Sequence, residues 1–168
     1  MSPRKSKTAA SPVPRVADEI QQTRPFRSSA QEALLALILT SDRVLARTAT
    51  ELARVADITP QQYNVLRILR GAGPEGLPTL AIADRMIERT PGITRLLDRL
   101  ERKGWIERER LADDRRQVLC RATKTALKLL AKLDPLMDEL DDLPGRELNG
   151  AETKQLIALL DRVRAAFA

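Results

Sequence analysis

Arg89-Thr-Pro-Gly-Ile-Thr-Arg-Leu-Leu-Asp-Arg-Leu-Glu-Arg-Lys-Gly104 is the stretch on which the fold turns. Ile93, Leu96, Leu97 and Leu100 recur at i, i+3, i+4 and i+7, which is one face of a helix. Thr90 is placed to cap it, and Pro91 takes the first helical position, where a missing N–H costs nothing. Gly104 ends it as a residue free to turn left-handed. The opposite face carries Thr94, Arg95, Asp98, Arg99 and Arg102. Arg95, Arg99 and Arg102 fall at i, i+4 and i+7 and can line a surface for phosphates and base edges. The competing reading is a solvated face on which Asp98 and Glu101 pair with those arginines.

The neighbours of this helix give it meaning. Leu80 to Met86 reads as a short helix buried through Ile82, Ala83 and Met86, and Glu88 and Arg89 form a turn. After Gly104 the period changes to two. Trp105 to Leu111 sets Ile106 and Arg108 against Glu107 and Glu109, and Gln117 to Ala122 puts Val118 and Cys120 on one side. Ala112-Asp-Asp-Arg-Arg116 is the charged turn between them. Short helix, tight turn, second helix and charged hairpin is the order of a winged helix-turn-helix, whose second helix enters the major groove of DNA. Arginine at a protruding tip, here Arg115 and Arg116, suits the negative potential of a narrow minor groove, and Asp114 can hold such a side chain extended.

Helices flank this unit. Ser29-Ala-Gln-Glu32 reads as a capping box ahead of a long stripe of Leu34, Leu37, Ile38, Ser41, Leu45, Thr48 and Leu52. Thr59-Pro-Gln-Gln62 is a second box, opening a helix that buries Tyr63, Leu66 and Leu69 and stops at Gly71 to Gly76. Thr123 caps a helix with Leu127, Leu130, Leu133, Met137 and Leu140, in which Pro135 is expected to produce a kink. Leu143-Pro-Gly145 breaks that helix. Asn149-Gly-Ala-Glu152 caps the last one, which carries Leu156, Leu160, Val163 and Phe167.

Composition excludes much. The 168 residues contain no His and a single Cys, with a net charge of +6. A zinc site and a Ser-His-Asp or Cys-His nucleophile are therefore out. Asp113 and Asp114 are adjacent on a turn and lack the opposed geometry of acid–base catalysis. No enzyme activity, metal or cofactor is expected. Aromatics are 2% of the chain, so the core must come from Leu, Ile, Val and Ala. The basic N-terminal arm has no signal-peptide hydrophobic stretch, since Ser11, Pro12, Pro14 and Arg15 interrupt it. The longest apolar run, Ala33 to Leu39, is too short to span a bilayer. A cytoplasmic protein without a membrane partner is expected.

Three segments together resemble the MarR family of transcription regulators: Thr59-Pro-Gln-Gln-Tyr-Asn-Val-Leu66, the Arg89 to Gly104 stretch, and Asp114-Arg-Arg116 with the following Gln-Val-Leu. The likeness runs from about Ser29 to the C-terminus. It implies a mainly α fold with a small β-hairpin wing, a winged helix-turn-helix plus N- and C-terminal dimerisation helices. It implies a homodimer on double-stranded DNA carrying a pseudo-palindromic operator, and repression of neighbouring genes released by a small lipophilic or aromatic effector. By position, Thr90, Pro91, Gly92, Thr94 and Arg95 sit at the major groove, with Arg99 further along. Arg116 enters the minor groove beside Arg115, oriented by Asp114. Pro78 stands where many members cap the third helix with Thr or Ser, and Thr79 is the substitute. No ligand-binding residue is assignable. Cys120 is read as a buried small hydrophobe and Trp105 as a packing residue.

The expected organisation is a disordered basic arm over 1–27 and one domain over 28–168. Residues 28–57 and 123–168 form dimerisation helices around a winged unit at 58–122, with the wing at 105–122. The arm serves as a solubilising tail or adds phosphate contacts. The alternative function is a winged-helix protein-interaction module without DNA readout, a reading against which Arg95, Arg99 and Arg116 weigh.

Overall fold

Side-chain caps set the starts of the four longest helices. In the computed structural model, which describes residues 14–88, 92–110 and 118–168, Thr59 and Gln62 form a reciprocal capping box. Asn149 and Glu152 form another, and the Thr123 hydroxyl accepts from the Ala126 N–H. These open α3 (Pro60–Ala72), α8 (Gly150–Ala165) and α6 (Lys124–Asp141) where the sequence put them. The long helix α2 (Ser29–Val55) starts one residue differently from expectation. Ser28, not Ser29, supplies the cap: its Oγ accepts from the Gln31 N–H at 3.2 Å, and Gln31 Oε1 accepts from the Arg27 N–H at 2.8 Å. Two consecutive serines, each with a Gln or Glu three residues on, made both registers available.

The chain divides into two units, residues 1–46 and 47–168. In the first, a single helical turn, α1 (Val16–Glu19), lies within the stretch expected as a disordered arm. Arg15 pairs with Glu32 at 3.3 Å, and Arg43 pairs with Glu19.

The second unit holds the core: Leu52 from α2, Tyr63, Val65, Leu66 and Leu69 from α3, and Leu130, Leu133 and Met137 from α6. Between them come β1 (Leu77–Pro78), α4 (Thr79–Arg85), α5 (Ile93–Arg102), β2 (Ile106–Arg110) and β3 (Val118–Ala122). The hairpin strands β2 and β3 pair antiparallel as expected, with Arg108 opposite Cys120. The strand β1 was not anticipated. It pairs with β3, giving the order β1-β3-β2. Its Pro78 is tolerated because β1 is an edge. Gly76, at φ 71°, makes the approach: a Cβ there would lie 2.4 Å from the Cys120 carbonyl oxygen. Arg121 seals the junction, donating to the Pro74 carbonyl at 3.0 Å and to Glu109 at 2.7 Å.

A short helix, α7 (Leu143–Glu147), occupies the expected break after α6, and α6 runs through Pro135 without interruption. No residue of α8 is buried in the single chain, and Leu156, Ile157, Leu159, Val163 and Phe167 are all exposed.

Candidate nucleic-acid interface

The α5 helix buries Leu96, Leu97 and Leu100, and half-buries Ile93, as its periodicity requires. Its start corrects the sequence reading. Gly92 is the N-cap at φ 99° and ψ 36°, a left-handed conformation open to glycine, and the helix begins at Ile93. Thr90 and Pro91 lie outside the described residues, as do Asp114, Arg115 and Arg116 of the hairpin tip. Gly104 closes α5 at φ 68°, its N–H donating to Glu101 while the Trp105 N–H reaches Leu100, the double bond of a Schellman end.

Of the described candidates, α5 brings Thr94, Arg95 and Arg99 together with Arg102 on one exposed face, with Gly92 exposed at its N-terminal end. The expected competition from Asp98 and Glu101 is resolved by another residue. Arg108, on β2, donates Nε to Glu101 at 2.8 Å and a terminal nitrogen to Asp98 at 2.6 Å. The Glu101 hydrogen bond holds the Arg108 pKa above its usual value against the opposing effect of burial. Among the described residues, Arg95 and Arg99 have no carboxylate partner. Arg102, among the described residues, donates only to the Asp98 backbone carbonyl, at 3.4 Å. In the sequence Arg108 stands out only as one member of an alternating strand.

Thr79 is placed differently from the other candidates. It is the first residue of α4 and caps nothing; its hydroxyl donates to the Val118 carbonyl at 3.4 Å, turning it toward the sheet. Cys120 is buried, and burial pushes its thiol pKa up, which leaves it a neutral packing group. Trp105 packs at the end of α5. The Lys103 ammonium sits 4.7 Å from its ring centre and pairs with Asp57 at 2.8 Å. The Thr123 hydroxyl donates to the Gly104 carbonyl at 2.8 Å, so the end of α5 and the start of α6 are pinned to each other. On the other side, Gln61 of α3 donates to Glu88 at 2.9 Å.

A second feature lies away from this face. A cleft of about 450 Å³ opens among Arg47, Arg54, Leu136, Leu140 and Arg146. Glu51, buried beside it, accepts from Arg47 at 2.7 Å and Arg54 at 2.8 Å. Among the described residues, no group of three or more His, Cys, Asp or Glu side chains is arranged to hold a metal ion, and no helix is long and apolar enough to cross a membrane.

Residues 58–118 match the sequence model of the MarR family. A MarR transcription factor from Planctomyces limnophilus is 39% identical, with a TM-score of 0.61 over 82% of this chain and 98% of that one. The S. aureus MepR–DNA complex aligns with a TM-score of 0.73 at 26% identity, over 84% of this chain and 99% of MepR. The transcriptional regulator FarR of Neisseria gonorrhoeae is 30% identical over 116 residues, 67% of this chain and 77% of FarR.

Proposed function

The chain belongs to the MarR family, and from that premise we propose that it acts as a homodimeric repressor on a pseudo-palindromic operator, released by a small amphipathic effector. It is a DNA-binding transcription regulator. The observation that carries the reading is α5: a helix held in a core on one side, with Arg95, Arg99 and Arg102 exposed on the other and its own acids engaged elsewhere. In this reading Thr94 and Arg95 reach base edges near the helix N-terminus. Thr90, Pro91 and Gly92 line the same groove edge, Arg99 meets phosphate, and Arg116, beside Arg115 and steadied by Asp114, reaches the minor groove.

The dimer is supported by the apolar face of α8, which a single chain leaves in water. Two copies place their recognition helices one helical turn apart, roughly 34–36 Å. The effector reading is supported by the cleft at Arg47, Arg54 and Arg146, whose arginines and leucines suit a small molecule with one acidic and one lipophilic part. Such a ligand weakens DNA binding only by its differential affinity for the two states. A cytoplasmic location and action on neighbouring genes complete the proposal.

A salt-titrated binding assay with duplex DNA tests the core of it. Neutralising several phosphates makes affinity fall linearly on a log–log plot against salt, with a slope near −0.9 per phosphate. A flat salt dependence would leave a protein-interaction module instead.

A further inference from the structure

We infer that Arg108 is a positioning residue for DNA binding: its single charge offsets one of the two carried by Asp98 and Glu101 on the flank of α5, and it locks that helix to β2, so that Arg95, Arg99 and Arg102 meet DNA with less opposing charge beside them. The inference rests on the DNA-binding reading of α5 and adds to it a residue outside the helix.

The sequence pattern makes Arg108 conspicuous. Strand side chains alternate faces, so Arg108 shares the face of Ile106, which is 2% exposed and part of the core. An apolar residue is the ordinary occupant of such a position. An arginine there is half-buried and must find carboxylates. It finds two, Glu101 at 2.8 Å from Nε and Asp98 at 2.6 Å from a terminal nitrogen.

Those two acids are the reason the contact matters. The Asp98 and Glu101 side chains remain 44% and 40% exposed, and both lie on the flank of the helix face that carries the arginines. Without Arg108 they have two consequences. They repel phosphates, by roughly a factor of two in affinity for each carboxylate–phosphate pair about a Debye length apart. Asp98 also becomes available to Arg95 and Arg102, at i−3 and i+4 on its own helix. A pair this exposed contributes little to folding. Its effect is on where the charge of α5 is presented.

The experiment is a thermodynamic cycle on the full chain. Binding to a labelled duplex of about 30 base pairs of random sequence, which reads phosphate contacts alone, is measured at several salt concentrations. The proteins are wild type, Arg108→Met, Asp98→Asn with Glu101→Gln, and the triple variant. Arg108→Met is expected to weaken binding roughly three- to tenfold and to lower the salt slope by about one. Neutralising the acids is expected to restore most of that loss in the Met background and to change wild type by less than about twofold. A structural role alone gives no such rescue, and neither does a direct Arg108–phosphate contact. Additive effects, or unchanged affinity in Arg108→Met, overturn the inference. If Arg108→Met does not fold, Arg108→Lys replaces it in the same cycle. It should bind with intermediate affinity and be rescued likewise, and failure of rescue again overturns the inference. Salt-independent or undetectable binding by wild type overturns the DNA-binding reading and this inference with it. Salt-dependent wild-type binding with an additive cycle overturns this inference alone.

Discussion

The helices α5 and α8 have similar alphabets, mostly leucine, arginine and acid, and opposite fates. In α5 the leucines are consumed by the chain's own core, with Leu97 and Leu100 at 0% exposure, and the arginines are left in water. In α8 nothing is buried, and Leu156, Ile157, Leu159 and Val163 stand 41–54% exposed. A helix with satisfied leucines and spare arginines suits a polyanion. A helix whose apolar side chains are left in water suits another apolar surface, and a second copy of the same chain supplies one. The difference lies in which face the tertiary structure leaves over, and mutations at matched positions should separate the two.

The largest effect is expected from placing charge on α8. Leu156→Asp with Val163→Asp introduces four carboxylates into a two-fold interface and removes four apolar side chains. At about 1.5–3 kcal/mol for each side chain fully buried, dimerisation should weaken by at least about a thousandfold. Light scattering should show monomer at micromolar concentration, while circular dichroism retains the helical signal of the winged unit. A dimer that survives the double substitution would remove α8 from the interface.

Leucine truncation gives a subtler contrast. Leu97→Ala should cost about 2–5 kcal/mol, since its site is fully enclosed by core neighbours, and the loss should not depend on protein concentration. Leu159→Ala, at a side chain 46% exposed in the single chain, should matter only through the dimer. Its thermal midpoint should fall most at low protein concentration, where mass action no longer supports association. Equal, concentration-independent losses at both sites would contradict the assignment of the two faces.

How much of this was legible depends on whether the determining contacts are local. The α5 helix was legible because its apolar spacing is itself the packing face, and the Thr59, Thr123 and Asn149 caps because a cap acts within three residues. The failures are of two kinds. Ser28 and Ser29 offer equivalent caps in adjacent registers, and α5 starts at Ile93 behind a left-handed Gly92 that the local pattern does not announce. The β1 strand, only Leu77–Pro78, carries no periodicity and exists because Gly76 lets the chain approach Cys120. At the site, Arg95 and Arg99 were read from one helix face. Arg108 was not, because its partners lie 7 and 10 residues away on a different element and meet it only after α5 packs on the sheet.

The charged face should itself divide. Arg95 lies in the first turn of α5, near enough to the N-terminus to reach base edges. If it makes a bidentate contact to guanine, Arg95→Ala should cost about 1–3 kcal/mol and relax preference at one position per half-site. Selection of bound sequences from a random pool reads this directly; an unchanged selected motif would assign Arg95 to phosphate.

Arg102, at the other end of α5, should show the smallest and least specific effect. Two turns from the N-terminus, a side chain on the same face is carried away from the groove floor toward the backbone, since only the first residues of a recognition helix reach base edges. Its guanidinium is held loosely, by one long bond to the Asp98 carbonyl, and remains free to swing to phosphate. Arg102→Ala should therefore weaken all duplexes alike and lower the magnitude of the salt slope by about one. The selected motif should stay unchanged. The comparison with Arg95 is made at one salt concentration first and then across several. At a single salt both variants merely bind less well, whereas sequence preference and slope separate a residue that reads from one that positions. A specificity change in Arg102→Ala would mean that α5 lies deeper along the groove than its N-terminus alone. An unchanged slope would mean that the arginine stays in water, like the exposed charges of α8.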